Sequence, residues 1–139
     1  MKATIKWQGE VGFAAESGSG HTVMMDGPPE MGGKEQGPRP MEMLLMGMGG
    51  CTAFDVVHIL RKGRQEITGC EAAVSAERAT EDPKVFTRIH VHFILRGKNL
   101  SESQVERAIE LSAEKYCSAS IMLGNAGVEI THDYTLVAE

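Results

Sequence analysis

Residues 40–62 read PMEMLLMGMGGCTAFDVVHILRK, and the rest of the chain is interpreted around this stretch. Pro40 suits the first position of a helix, where its fixed φ is already helical and no N–H is needed. The apolar run continues until Gly63 can end it, with Arg61 and Lys62 favourably placed at the negative end of the helix dipole. The sequence therefore predicts one long, largely apolar and buried helix.

Three glycines precede a cysteine in the middle of this helix, at positions 47, 49 and 50, before Cys51. Each glycine costs a helix about 1 kcal/mol relative to alanine. Something must offset that cost, and the close approach of a neighbouring backbone is the expected reason. The glycines also leave a space beside the sulfur that a substrate or a second helix could occupy.

Short strands are predicted before this helix, and longer strands and a second helix after it. The first three strands, Ala3 to Trp7, Gly12 to Glu16 and His21 to Asp26, form an antiparallel meander and lead into a Gly- and Pro-rich loop. Alternation predicts two strands with one core face each, at about 70–77 and 85–96. A second helix should run from Ser101 or Ser103 to about Tyr116, the segment from Cys117 to Leu123 should extend or restart it, and a strand should span 128–137.

The composition indicates one globular domain spanning 1–139. The formal net charge of −5, without a run of Lys or Arg, argues against a nucleic-acid partner. The N-terminus has no apolar signal core, and the apolar stretches are expected to be too short and too interrupted by glycine to cross a membrane. We therefore expect a soluble, cytoplasmic protein with no membrane partner.

The chain has three cysteines, Cys51, Cys70 and Cys117, without a CxxC spacing, which suggests neither a disulfide framework nor a zinc cage. Cys70 alternates with Ala72 and Val74 toward the core, as an inert packing residue does. On spacing alone, Cys51 and Cys117 fit two roles, buried packing or thiol chemistry. In a reducing compartment, a pair that does oxidise is more often catalytic or redox-sensing than structural.

Polar groups that could support a reactive thiol are few. A thiolate needs a cation, hydrogen-bond donors or a helix N-terminus, and Arg39 is the only arginine before residue 61. Glu42 could orient that arginine, although a solvated loop charge and an acid near the helix start explain the two residues equally well. His90 and His92 share the polar face of one strand at a spacing compatible with a metal, but no third ligand is apparent. We therefore expect no metal and no cofactor.

The string PMEMLLMGMGGC at 40–51, with Cys117 in the segment LSAEKYC at 111–117, resembles the OsmC/Ohr family and, within it, the YhfA-type branch of OsmC-like proteins. The similarity covers nearly the whole chain, including RKGRQ at 61–65. It implies an α+β fold in which two subunits intertwine as a homodimer and wrap antiparallel sheets around central helices. The two active sites would then lie at the dimer interface.

The resemblance also implies a function, the thiol-dependent reduction of organic hydroperoxides in the bacterial oxidative stress response. Cys51 would be the peroxidatic cysteine, Cys117 the resolving cysteine, and a small dithiol such as a lipoyl group the reductant. Two supporting groups depart from the family pattern: Met41 stands where the family has a glutamate, with Glu42 beside it, and no arginine lies well upstream of the helix. The alternative is a non-catalytic OsmC-like protein that binds a small apolar ligand at the dimer interface, lined by the methionines at 41, 43, 46 and 48.

Overall fold

Six strands and three helices follow one another along residues 1–139, all of which the computed structural model describes. They are β1 (Ala3–Trp7), β2 (Phe13–Ser17), β3 (Thr22–Met25), α1 (Pro40–Lys62), β4 (Glu66–Arg78), β5 (Phe86–Lys98), α2 (Glu102–Leu111), α3 (Ser118–Asn125) and β6 (Glu129–Ala138). A 3₁₀ turn spans Pro29–Met31, and a π-helical turn spans Ser112–Tyr116. The predicted mixture of helix and sheet is confirmed.

The chain forms two compact units, Met1–Leu44 and Leu45–Glu139, with α1 beginning in the first and continuing in the second. That the two together make one domain over 1–139 stays a prediction. In the first unit, β1, β2 and β3 pair in chain order as the predicted antiparallel meander. The register runs from Ala3 opposite Ser17 to Trp7 opposite Phe13.

The loop after β3 is organised by one carboxylate. Asp26 is only 3% exposed, and its carboxylate accepts the backbone N–H groups of Gly27, Lys34 and Gln36 at 2.8, 3.0 and 3.3 Å. These hydrogen bonds, that of Lys34 foremost, hold the pKa of Asp26 below its ordinary value. The Gly- and Pro-rich composition therefore supplies a loop that folds around a buried anion.

Replacing Asp26 by asparagine should remove part of the acid sensitivity of folding. Because the folded pKa is lowered, the stabilisation is complete above the unfolded pKa of about 3.9 and is lost as the pH falls through the lower folded value. Urea unfolding of wild type and Asp26→Asn between neutral and acidic pH measures the difference. The gap in free energy of unfolding should shrink on acidification, whereas Glu16→Gln, at an exposed carboxylate of β2, should follow the wild type. A gap that is independent of pH would contradict this role.

The second unit contains a three-stranded sheet in the order β4-β5-β6. β4 and β5 pair antiparallel from Glu66 opposite Lys98 to Arg78 opposite Phe86, whereas β6 lies parallel to β5. The expectation of antiparallel sheets is thus correct for β4 and β5 and wrong for β6. The physical reason is the crossover: α2 and α3 carry the chain back to the starting end of the sheet, as a parallel pair requires.

The core of the second unit is built on the alternation of β5. Its buried residues are Phe86, Ile89, Val91, Phe93 and Leu95, and they share the core with Val105, Ala108 and Ile109 of α2 and with Met48, Val56 and Leu60 of α1. The intervening residues of β5, among them His90 and His92, are more exposed. The predicted core face and polar face of this strand are confirmed.

Helix α1 buries only a narrow stripe, which differs from the expectation of a largely buried helix. Its buried residues are Met48, Gly49, Thr52, Val56 and Leu60, while Leu44, Met46 and Phe54 are 52%, 59% and 71% exposed. An 18-residue window of its 23 residues has a mean hydropathy of 1.6, so α1 is long and apolar enough to cross a membrane by those two criteria. The expectation that every apolar stretch is too short is therefore wrong, because the glycines do not interrupt the helix. A core helix of a soluble protein passes the same test.

Only one of the three glycines is explained by packing within the chain. A Cβ at Gly49 would lie 2.9 Å from Cγ2 of Val74 in β4, whereas Cβ atoms at Gly47 and Gly50 would meet nothing within 4 Å. Val74 is β-branched and stiff, so it cannot easily move aside. A close approach is present at Gly49, but a side chain makes it, so the expectation of a neighbouring backbone is wrong there.

Gly49→Ala should therefore destabilise the protein through Val74. Overpacking a core typically costs about 1–3 kcal/mol and here works against a helix-propensity gain of about 1 kcal/mol. The cost should disappear in a Val74→Ala background, measured as a double-mutant cycle by urea unfolding. Gly47→Ala gives the same propensity gain and should show no coupling to Val74→Ala. Equal effects of Gly49→Ala in both backgrounds would contradict the contact.

Candidate active site

Cys51 and Cys117 lie far apart in sequence and close together in space. The sulfur atoms of both residues and a carboxylate oxygen of Asp55 lie within 4.8 Å of one another. Cys51 is on α1, half-buried, and Cys117 is fully buried where the chain enters α3. Both cysteines are free thiols in this conformation. A disulfide bond of about 2.05 Å therefore requires a further approach of the two sulfurs.

The second helix ends earlier than the predicted Tyr116, and of the two predicted alternatives for the segment from Cys117 to Leu123 the chain takes the restart. Helix α2 ends at Leu111, the π-helical turn follows, and Cys117 has extended backbone angles, φ −75° and ψ 100°. The chain restarts as α3 at Ser118, so Cys117 is the N-cap residue, and its sulfur accepts the N–H of Ser120 at 3.4 Å. The wider helical turn ends α2 and turns this side chain toward α1.

The surroundings of Cys117 have opposing effects on its charge. Burial raises the pKa of the thiol, the hydrogen bond from the Ser120 N–H lowers it, and the neighbouring Cys51 raises it again. The net direction is upward, so Cys117 is a neutral thiol at neutral pH. A helix N-terminus favours a thiolate, but here burial outweighs it.

A buried hydroxyl joins α1 to the π-helical turn beside the two sulfurs. Ser112 shares a hydrogen bond of 2.9 Å with the Thr52 hydroxyl and donates to Oδ2 of Asp55 at 3.1 Å. Thr52 and Ser112 are both fully buried. Thr52, Asp55 and Ser112 were not identified from the sequence as neighbours of the two sulfurs. The sequence offered one signal for the two hydroxyl residues, because Thr52 directly follows Cys51 and Ser112 lies shortly before Cys117.

The proposed supporting residues Arg39 and Glu42 contact each other in the first unit. The guanidinium of Arg39 donates to both carboxylate oxygens of Glu35 at 2.8 and 3.3 Å, which lowers the pKa of Glu35. Glu42 accepts the backbone N–H of Arg39 at 2.8 Å and so satisfies a donor at the start of α1. Arg39 and Glu42 therefore stabilise the start of α1, as their position in the sequence allows. That either residue supports the Cys51 thiol stays a prediction.

The remaining candidates are separate from the two sulfurs. Burial raises the pKa of the Cys70 thiol, but this residue is only half-buried and lies at a surface groove rather than in the core as predicted. His58 stacks on Phe54 with ring centroids 6.0 Å apart. Together they border a groove of about 380 Å³ lined by Gly50, Ala53, Phe54, Val57, His58, Arg61 and Cys70.

Removing the Ser112 hydroxyl should cost stability. A Ser112→Ala variant leaves the buried Thr52 hydroxyl without the partner it has now, a loss of about 1–3 kcal/mol in free energy of unfolding. Ser118→Ala, six residues on and exposed, should change stability far less. Urea unfolding of the two variants gives the comparison. If they are equally stable, the hydrogen bond does not hold α1 to the turn.

Comparison with known proteins identifies the family of the chain. Residues 32–133, which include both sulfur sites, match the family model described as OsmC-like protein. The chain belongs to the OsmC-like family. This confirms the resemblance predicted from the sequence around Cys51 and Cys117.

Individual proteins are similar to this OsmC-like chain over nearly its whole length. It is 49% identical over 138 residues to the protein YhfA of Escherichia coli K12, with 99% of each chain covered. A crystal structure of a hypothetical protein from Aquifex aeolicus is 27% identical, with a TM-score of 0.85 and coverage of 99% and 96%. The organic hydroperoxide resistance protein OhrB of Bacillus subtilis is 20% identical, with a TM-score of 0.63 and 96% of each chain covered, and this likeness shows the fold alone.

Proposed function

We propose that this OsmC-like protein reduces organic hydroperoxides, with Cys51 as the peroxidatic and Cys117 as the resolving cysteine. The observation that carries the proposal is the pair of sulfurs, brought within 4.8 Å of each other from α1 and the start of α3. Two free thiols this close are suited to reversible disulfide formation. The hydroperoxide resistance named for OhrB, which has the same fold, supports this substrate class.

The reaction requires two thiol steps and an external dithiol. The Cys51 thiolate attacks the outer oxygen of the hydroperoxide, the O–O bond breaks, and the alkoxide leaves to take up a proton as the alcohol. Cys51 is then a sulfenic acid, two electrons more oxidised. The Cys117 thiol attacks that sulfur, forms the disulfide and releases water. A small dithiol, such as a lipoyl group, returns two electrons by exchange and becomes the oxidised product.

The burial of the two cysteines supports the assignment of Cys51 as the peroxidatic and Cys117 as the resolving residue. A peroxidatic sulfur must meet a substrate from solution, and Cys51 is partly exposed whereas Cys117 is not. The resolving thiol needs only to reach Cys51. Its raised pKa suits a group that stays protonated until the sulfenic acid forms.

We propose a cytoplasmic homodimer as the working form. Gly47 and Gly50 have no packing reason within the chain, and the same helix exposes Leu44, Met46 and Phe54. Exposed apolar side chains that follow one helix are typical of an interface. A partner that packs against α1 would bury them and explain the two glycines together. It would also cover a helix that otherwise meets the length and hydropathy of a membrane span.

Oxidation with cumene hydroperoxide tests the mechanism. Mass spectrometry of the non-reduced protein should show a Cys51–Cys117 disulfide, and Cys117→Ser should instead accumulate a sulfenic acid at Cys51 that dimedone traps. Cys51→Ser should lose turnover with a dithiol reductant, whereas Cys70→Ser should keep it. Arg39→Gln should slow turnover if Arg39 supplies the cation, with Arg107→Gln, in an exposed pair with Glu110, as the control. If neither disulfide nor sulfenic acid forms, the proposal is wrong.

The groove beside Gly50 favours a second candidate function, the binding of a small apolar ligand without catalysis. It is bordered by Phe54, Val57 and Cys70, and none of the predicted methionines at 41, 43, 46 and 48 lines it. In this case Cys51→Ser would retain full function in the cell while Val57→Glu would not. The same pair of variants separates the two hypotheses, because a peroxidase loses function with Cys51→Ser.

A further inference from the structure

Two histidines and an aspartate meet on the exposed face of the second sheet, and the proposed peroxidase chemistry uses none of them. His90 and His92 come from β5 and Asp133 from β6. In the parallel register, Asp133 lies opposite His92, and Thr131 lies opposite His90. One nitrogen from each ring and a carboxylate oxygen lie within 4.8 Å of one another. The third ligand that the sequence did not reveal is therefore supplied by the neighbouring strand.

The two imidazole rings point at one oxygen atom. Nε2 of His90 lies 2.8 Å, and Nδ1 of His92 2.6 Å, from Oδ1 of Asp133. The other ring nitrogens are held by hydroxyl groups of β6: Nδ1 of His90 by Thr131 at 2.7 Å, and Nε2 of His92 by Thr135 at 3.2 Å. A histidine that binds a metal commonly uses its second nitrogen in this way, which fixes the orientation of the ring.

We propose that His90, His92 and Asp133 bind a divalent transition-metal ion of the zinc class. The ligands would be Nε2 of His90, Nδ1 of His92 and the Asp133 carboxylate. Metal–ligand bonds of about 2.0–2.2 Å in a tetrahedral site place ligand atoms about 3.3 Å apart. The two nitrogen–oxygen distances, now 2.8 and 2.6 Å, need to open by only about 0.5 and 0.7 Å around the ion.

The cluster can accept an ion from solution. The side chains of His90 and His92 are 37% and 34% exposed, and that of Asp133 is 59% exposed, so all three are accessible from solvent. A groove of about 380 Å³ lies beside His90 and Thr131 and leaves room for a water molecule as the fourth ligand. Arg88, the nearest cationic side chain along that groove, is directed to Glu129 at 3.7 Å, which reduces its repulsion of an incoming cation.

Imidazole and carboxylate ligands define the class of ion. Two neutral nitrogens and one carboxylate suit zinc, iron(II), cobalt(II) and nickel(II), and they suit the oxygen-seeking ions magnesium and calcium poorly. Three protein ligands with an open position are the arrangement of a site that exchanges its fourth ligand. The inference does not rest on the proposed peroxidase function, since it involves neither sulfur.

Zinc titration by calorimetry tests the site in a Cys51→Ser/Cys117→Ser protein, because those thiols lie with Asp55 in a second group able to hold zinc. One zinc ion should bind per chain. His92→Ala and the nearly isosteric Asp133→Asn should each abolish or strongly weaken binding, and Thr131→Val should weaken it about tenfold through the lost ring orientation. His58→Ala, which removes an exposed histidine on α1, should leave the affinity unchanged.

Cobalt(II) gives an independent readout. The bound ion should show visible absorption bands without the thiolate-to-cobalt band in the near ultraviolet, and Asp133→Asn should lose them. Circular dichroism checks that each variant keeps the fold. Absence of zinc binding in the serine double variant, or unchanged affinity in folded Asp133→Asn, would overturn the proposal.

Discussion

The buried hydroxyl of Ser112 is the point at which two otherwise unrelated segments are fixed to each other. It lies in the π-helical turn and hydrogen-bonds with Thr52 and Asp55, which follow Cys51 by one and four residues on α1. A buried polar group without a partner is costly, so the turn and the helix keep this arrangement together. The distance between the two sulfurs depends on it, because Cys117 follows the turn directly. The distance between the two thiols is therefore fixed by buried hydrogen bonds rather than by a flexible loop.

The same turn explains how one short segment can supply a buried thiol at a helix start. In a continuous helix from α2 through residue 117, each side chain would be rotated by about 100° about the helix axis from the one before it, which corresponds to about 3.6 residues per turn. The π-helical turn breaks that phase, and Cys117 leaves it with extended backbone angles. π-Helical turns recur at functional sites, where they re-aim a side chain. Here the side chain re-aimed is the one proposed to resolve the sulfenic acid.

The local sequence pattern predicted most of the helices and strands, but it did not predict how elements distant in sequence pair and pack. Proline and glycine at its ends and apolar periodicity predicted α1 closely, and alternation predicted the two faces of β5. The π-helical turn before Cys117 was missed, although a restart at Cys117 was one of the two predicted alternatives, because the propensities of residues 112–116 are compatible with a regular helix. The parallel pairing of β6 was missed because register is decided by the crossover and by packing. The contact between Gly49 and Val74 likewise belongs to the tertiary fold, although the glycine itself was the visible sign that something approached.

The register of β6 against β5 determines which side chains of the segment Thr131-His132-Asp133 face the core. The period of two residues along the strand sends His132 inward, where it stacks on Phe93 and burial lowers its pKa, while Thr131 and Asp133 face the solvent beside His90 and His92. A slip of one residue in β6 would exchange these positions, exposing His132 and burying a carboxylate against Phe93. Burying an unpaired charge is far costlier than burying a neutral imidazole. The apolar face of β5 therefore selects the register, and the cluster of His90, His92 and Asp133 is a consequence of that selection on the opposite face.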